Sequence, residues 1–201
     1  MERQQDMSAI VLAGGQSRRM KQDKALLPLN GKSLVESVAS QLEPYFADII
    51  VSAREGQALD FLPYRIAVDR SSGQGPLMGI LSGLEASRTP YNFVIACDIP
   101  QIDIRFLESM LEHVRGHDVV VPVSGDSKYE PLFAFYQKRL IPHIQDLLSK
   151  GIRQIIKLYP LAESVKYVPM PGGNWYFNLN TLEDFNNYCM ISRGSSSLSS
   201  S

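Results

Sequence analysis

Short runs of apolar residues alternate along the chain with stretches whose apolar positions recur every three or four residues. The runs at 9–12 (AIVL), 48–53, 65–68, 93–97 (FVIAC), 118–122, 132–136 and 165–168 have strand length and read as strands. Several are apolar at consecutive positions rather than at every second one, the pattern of strands covered on both faces. Between the first two, Leu34, Val35, Val38 and Leu42 fall at helical spacing, and Ser33 with Glu36 three residues on predicts a capping box. Segments 77–87, 104–114 and 138–149 read as helices in the same way. This alternation predicts an α/β architecture in three layers, a mostly parallel sheet with helices on both faces.

No repeat of solenoid length appears, and no Pro/Gly/Ser linker divides the middle of the chain. A length of 201 residues at 44% hydrophobic content suffices for one core. We expect a single domain over 1–191. The Ser-rich segment 192–201 has almost nothing to bury and is expected to be a disordered tail.

In an open α/β sheet, ligands bind beyond the carboxyl ends of the strands. Four segments follow predicted strands directly: the Gly14-Gly15 pair, residues 52–54, Asp69 and Asp98. A glycine pair exposes backbone N–H groups with no side chain in the way, and Arg18, Arg19, Lys21 and Lys24 follow at once. That is the composition of a polyphosphate cradle. Its spacing is neither the dinucleotide G-x-G-x-x-G nor a Walker loop. Gly31-Lys32-Ser33 resembles the end of a Walker loop, but the position five before Gly31 is Leu26, so that reading fails.

Charge confines the basic residues to a local role. A net charge of −1 and a pI near 6.3 argue against broad binding to nucleic acid or an anionic membrane. Cys97 and Cys189 form neither a C-x-x-C pair nor a metal-ligand pattern, and His113, His117 and His143 show no ligand spacing. The polar start MERQQDM, with no signal-peptide h-region behind it, predicts a soluble, unexported protein in the reducing cytoplasm.

Asp98 ends an apolar strand and is followed by Ile99-Pro100, which gives its carboxylate a rigid exit from the sheet. Such a hard oxygen suits Mg²⁺ shared with substrate phosphates, although a turn or helix-capping Asp has the same look. Asp69 opens DRSSGQGPLMGI, where three glycines and a proline fall within a few residues and a helix begins with Pro76 at its first turn. That loop reads either as a nucleotide wrap or as a tight strand-to-helix connection. Lys24 sits beside the apolar Ala25-Leu26-Leu27, which can aim its ammonium at a phosphate. Arg18 can contact phosphate bidentately, whereas Arg19 and Lys21 read as solvent-facing.

Residues 12–24, LAGGQSRRMKQDK, resemble L-A-G-G-x-S-x-R-M-G-x-D-K, the nucleotide-binding signature of the molybdenum cofactor guanylyltransferases. These are a branch of the nucleotide-sugar-transferase-like nucleotidyltransferases. Lys21 stands where that pattern has glycine, and Ser52 where the family often has asparagine. Cys97-Asp98-Ile99-Pro100 is similar to the family's C-D-x-P, residues 69–80 to D-x-x-x-x-x-G-P-L-x-G-I, residues 130–136 to x-P-L-F-A-x-Y, and residues 177–184 to the family's asparagine-rich ending. The likeness spans 8 to about 189.

The resemblance implies a Rossmann-like nucleotidyltransferase fold and transfer of GMP from GTP to the phosphate of molybdenum-molybdopterin. It puts Leu12, Ala13, Gly14, Gly15, Lys24, Asp69, Asp98, Asn178 and Asn180 on the nucleotide and its partner substrate. It implies catalytic roles for Arg18, Lys24 and Asp98, with Asp98 holding Mg²⁺. Alternation along an extended segment would turn the amides of Asn178 and Asn180 to one side, and Thr181 reads as the cap of a last helix. Partners implied by the family are an accessory GTP-binding adaptor and the molybdoenzyme apoproteins. A related cytidylyltransferase, another nucleotidyltransferase of this fold, or a non-catalytic nucleotide-binding adaptor remain alternatives.

Overall fold

The computed structural model describes residues 3–14, 23–71, 73–171 and 178–196. Strand β1 (Gln4–Leu12) runs through the middle of a seven-stranded sheet, and its last six residues are buried. It begins five residues before the apolar run at 9–12, because Gln4 and Gln5 extend the strand at the wet amino-terminal end of the sheet, where hydrophobicity gives no signal.

A two-stranded hairpin, β2 (Pro28–Leu29) with β3 (Lys32–Ser33), follows. Asn30 and Gly31 make its turn at φ 51° and 82°. Two successive positive φ values are what a tight hairpin requires and what Asn-Gly supplies, which accounts for the glycine of Gly31-Lys32-Ser33 without any phosphate. Helix α1 (Leu34–Leu42) starts on the expected capping box: the Ser33 hydroxyl accepts from the Glu36 N–H, and the Glu36 carboxylate accepts from the Ser33 N–H.

β4 (Phe46–Ala53), β5 (Arg65–Val68), α2 (Pro76–Ala86), β6 (Tyr91–Ala96) and α3 (Ile104–Leu111) come next. They are followed by β7 (Val119–Val123), β8 (Phe133–Gln137), α4 (Ile141–Ser149), β9 (Val165–Pro169) and α5 (Leu182–Ser196). The sheet order is β5-β4-β1-β6-β8-β7-β9. All neighbours are parallel except at β8, which is antiparallel to β6 and β7. The three layers expected from the sequence are present. α3 stops at Leu111, short of the expected 114, and a 3₁₀ stretch over Ile155–Leu161 was not foreseen.

Pleating divides the core in two. Ala9, Val11, Phe93 and Ile95 face α1 and α3, while Ile10, Leu12 and Val94 face α2 and α4. Four phenylalanines centre the first layer, with Phe93 5.0 Å from Phe133 and from Phe135 and 5.7 Å from Phe46 between ring centroids. Each such fully buried side chain contributes roughly 1.5–3 kcal/mol relative to exposure. In the second layer α2 crosses β1 closely: a Cβ at Gly83 would stand 2.4 Å from Ile10 Cγ2. A smaller core of Leu27, Leu29, Leu34, Leu179 and Phe185 docks α5 onto the β2–β3 hairpin, and so brings the end of the chain back to its beginning.

Candidate active site

Parallel pairing sets the strand ends side by side. Leu12 lies opposite Ser52 on one flank and Ala96 on the other, and Ala53 opposite Val68. The residues that follow therefore leave the sheet together: Ala13 and Gly14, Arg54, Asp69, and Cys97 with Asp98. Backbone bonds continue the ladder past the strand ends, from the N–H of Ala13 to the Ser52 carbonyl (2.8 Å), Cys97 to Leu12 (3.1 Å) and Asp69 to Ala53 (2.8 Å). The convergence of four loops on one edge was expected and is observed.

Lys24 crosses this edge to Asp98. Its Nζ lies 2.8 Å from Oδ2, and the two side chains are 11% and 23% exposed. The direction of Lys24 is fixed by a single 3₁₀ turn, Lys24–Leu26, in which Asp23 caps the N–H of Ala25, Ala25 is buried and the adjoining Leu27 enters the small core. Oδ1 of Asp98 is buried and meets no hydrogen-bond partner among the described residues. Beneath it, the Cys97 thiol is buried, and burial together with the neighbouring Asp98 carboxylate pushes it far above its usual range. It is a packing residue rather than a nucleophile.

Asp69 stands on the other side of Gly14. A Cβ at Gly14 would lie 3.3 Å from the Arg54 nitrogen and 3.4 Å from Asp69 Oδ2, so even a methyl group would crowd this floor. The fully buried Ser52 donates its hydroxyl to Asp69 Oδ1 at 3.1 Å. Burial raises the Asp69 pKa against the hydroxyls of Ser82 and Ser52, which lower it. Ser52, which departs from the family pattern, thus orients the Asp69 carboxylate. Gly79 in α2 makes room for that hydroxyl, since a Cβ there would stand 2.9 Å from Ser52 Oγ and 3.2 Å from Leu12 Cδ2.

Sequence reasoning missed a clamp between the β4 loop and the residue before Lys24. Arg54 Nη2 pairs with Asp23 Oδ2 at 2.8 Å. Gln57 Nε2 donates to the Ala13 carbonyl at 3.0 Å and to Asp23 Oδ1 at 3.1 Å, while its Oε1 accepts from the Arg54 N–H. The signal was present in part, because Asp23 belongs to the signature. Its partners sit in a polar loop with no periodicity to read.

At the far end of the chain, the N–H of Leu179 donates to the Asp98 carbonyl at 2.9 Å, placing Asn178 and Asn180 beside the Lys24–Asp98 pair. The segment is turned rather than extended, with the Asn180 N–H bonded to the Asn178 carbonyl at 3.1 Å. Leu179 is drawn into the small core and bends the backbone around it. Thr181 caps α5 as expected, its hydroxyl accepting from the Asp184 N–H while Asp184 accepts from Thr181 and Asn180. Gly15, Arg18, Arg19 and Lys21 lie outside the described residues, as do 197–201 of the tail; α5 itself continues to Ser196.

Among the described residues, no group of three His, Cys, Asp or Glu side chains could cage a metal ion, and no helix is long and apolar enough to cross a membrane. A cavity of about 190 Å³ lies at the opposite, amino-terminal edge of β4 and β5, lined by Arg3, Asp48 and Arg65 among others, away from this chemistry.

Residues 9–165 match the family model of the MobA-like NTP transferase domain. The chain belongs to this family. It is a nucleotidyltransferase by that membership, and its relatives include the molybdenum cofactor guanylyltransferase of Vibrio parahaemolyticus, 34% identical over 181 residues, covering 88% of this chain and 92% of the relative. The guanylyltransferase of the same name from Vibrio cholerae is 33% identical over 184 residues, covering 89% of each chain. The crystal structure of molybdopterin-guanine dinucleotide biosynthesis protein A from Archaeoglobus fulgidus superposes with a TM-score of 0.77, covering 93% of this chain and 99% of that one at 23% identity. At that identity the superposition establishes the shared fold.

Proposed function

We propose that this MobA-like transferase moves the GMP unit of GTP onto the terminal phosphate of molybdenum-bearing molybdopterin, releasing pyrophosphate and forming the guanine dinucleotide. The observation that carries the reading is the Lys24–Asp98 pair at 2.8 Å, set at the sheet edge among the strand ends and loops that bear Gly14, Ser52 and Asp69. The choice of guanine and of the pterin rests on the relatives' names, because base contacts depend on backbone groups in the loops.

The residues present fit Mg²⁺. One carboxylate with a buried, unpartnered Oδ1, and no cage of further acidic ligands among the described residues, suits an ion that keeps its waters and shares substrate phosphates. Asp98 would hold it, and the ion would supply Lewis-acid polarisation and charge neutralisation at the transferring phosphate. The rest of the chemistry falls to the chain. The backbone at Leu12, Ala13, Gly14 and Gly15 seats the nucleotide, with Asp69, oriented by Ser52, beside it. Lys24 and Arg18 offset phosphate charge as the bond between the α- and β-phosphates breaks and pyrophosphate leaves. The attacking phosphate monoester is already an anion at neutral pH, so no general base is needed and catalysis reduces to alignment and charge. Asn178 and Asn180, beside the same pair, offer amides to the polar second substrate.

Highly charged phosphate substrates do not cross membranes unaided, which supports a cytoplasmic setting. An accessory GTP-binding adaptor and molybdoenzyme apoproteins are the protein partners of this reading.

The test is incubation of the chain with GTP, Mg²⁺ and molybdenum-molybdopterin, following pyrophosphate and the dinucleotide by chromatography, with CTP in parallel. Product from GTP supports the proposal. Product from CTP alone assigns the chain to cytosine dinucleotide synthesis, and GTP binding without pyrophosphate release makes it a non-catalytic adaptor.

A further inference from the structure

The ammonium of Lys24 sits on one of the two carboxylate oxygens of Asp98, close beside the Oδ1 that a metal ion would use. Nζ stands 2.8 Å from Oδ2, both side chains are mostly shielded, and no second cation pairs with Asp98 among the described residues. Arg54, an arginine of the neighbouring loop, is engaged by Asp23. A carboxylate so neutralised is a poor ligand, because a divalent ion arriving beside a fixed ammonium meets repulsion that shielding from water strengthens.

We propose that Lys24 makes divalent-ion loading of Asp98 conditional on the nucleotide. Without nucleotide, Lys24 neutralises Asp98 and keeps the ion off. A triphosphate seated over Gly14 offers the ammonium a stronger anion, Lys24 turns to it, and the carboxylate is released to take the ion that accompanies the phosphates. The backbone of Lys24 is pinned by the Asp23 cap and the buried Ala25, so the transfer is confined to its flexible four-carbon stem. This inference rests on the reading of Asp98 as the ion's ligand. It deepens that reading by giving the order of assembly: the ion enters with the nucleotide and not before it.

The probe is Mn²⁺, titrated into the nucleotide-free full chain with free ion counted by electron paramagnetic resonance. Lys24→Met is expected to bind Mn²⁺ at least about tenfold more tightly than wild type. The double variant Lys24→Met/Asp98→Asn is expected to return to the wild-type value. In wild type, a non-hydrolysable GTP analogue is expected to create an Mn²⁺ site that Asp98→Asn removes. Equal Mn²⁺ affinity in wild type and Lys24→Met overturns the gate, as does an Asp98-dependent site of equal strength with and without the analogue; both leave Asp98 as the ligand. Tightening in Lys24→Met that survives Asp98→Asn overturns the gate and the assignment of the ion to Asp98 together. Lys24→Gln replaces Lys24→Met if circular dichroism shows the latter misfolded.

Discussion

Arg54 Nη2 lies 2.8 Å from Asp23 Oδ2, and this ion pair ties the loop after β4 to the residue that immediately precedes Lys24. Gln57 completes the tie by bonding both Ala13 and Asp23, the residues on either side of the signature loop. The two ends of that loop are thus held at a fixed spacing, and Lys24 inherits its position from the clamp.

Gln57→Ala removes these two bonds together with the one its Oε1 accepts from the Arg54 N–H, and leaves the Ala13 carbonyl without this side-chain partner. Melting should fall by about 2–6 °C, the equivalent of about 1–2 kcal/mol in a chain of this size. The KM for GTP should rise about fivefold, with a smaller change in kcat, as measured by steady-state pyrophosphate release. An unchanged KM would show that the clamp serves stability alone.

Asp98→Asn keeps the shape of the side chain and its hydrogen bond to Lys24 but removes the charge. Turnover should drop about a hundredfold or more, with the circular dichroism spectrum unchanged. Wild-type-like turnover in the folded variant would end the assignment of Asp98.

Asp69 carries a pH signature of opposite sign to a salt-bridged carboxylate. Burial raises its folded-state pKa above 3.8, so the protonated form is favoured by folding. That contribution to stability is complete below the unfolded pKa and is lost as pH climbs through the raised folded value. Asp69→Asn does not titrate, so its melting temperature relative to wild type should increase between about pH 4 and 7, reaching an advantage of about 1–3 °C. The same variant should bind GTP more weakly in isothermal titration at neutral pH. Parallel melting profiles across that range would contradict the raised pKa of the buried Asp69.

Gly79→Ala tests the orientation of Asp69 from behind. The added methyl group meets Ser52 Oγ and Leu12 Cδ2, a conflict worth about 1–3 kcal/mol in a packed core. Ser52→Ala in the same background should restore part of the lost melting temperature, because it removes the nearer atom, but should not restore GTP affinity, because Asp69 is deprived of the Ser52 hydroxyl in either case.

Much of this was legible in the sequence, and the parts that were not share a cause. The run FVIAC at 93–97 announced a strand buried on both faces, and the capping box at Ser33 and Glu36 marked α1 to the residue, because both rest on local patterns with a fixed period. The polar beginning of β1 was invisible to the same test. So was the position of β8, an antiparallel strand lodged between β6 and β7, since pairing partners leave no trace in a single strand. At the site, the strand-end rule located Gly14, Asp69 and Asp98. It could not show that Arg54 and Gln57 would reach back to Asp23, nor that Leu179 would bend its segment and bond to Asp98. These contacts link loops far apart in sequence, and their chemistry carries no repeat.

The proposed mechanism requires that the loops at the carboxyl edge of the sheet grip a triphosphate together with an ion on Asp98. A crystal structure of the chain soaked with GTP and Mn²⁺, phased to show the anomalous signal of manganese, tests it most directly. The expected result is a manganese peak about 2.0–2.3 Å from an Asp98 carboxylate oxygen, triphosphate density over Gly14, and the Lys24 ammonium moved onto a phosphate. A well-occupied nucleotide whose manganese lies out of reach of Asp98 would contradict it.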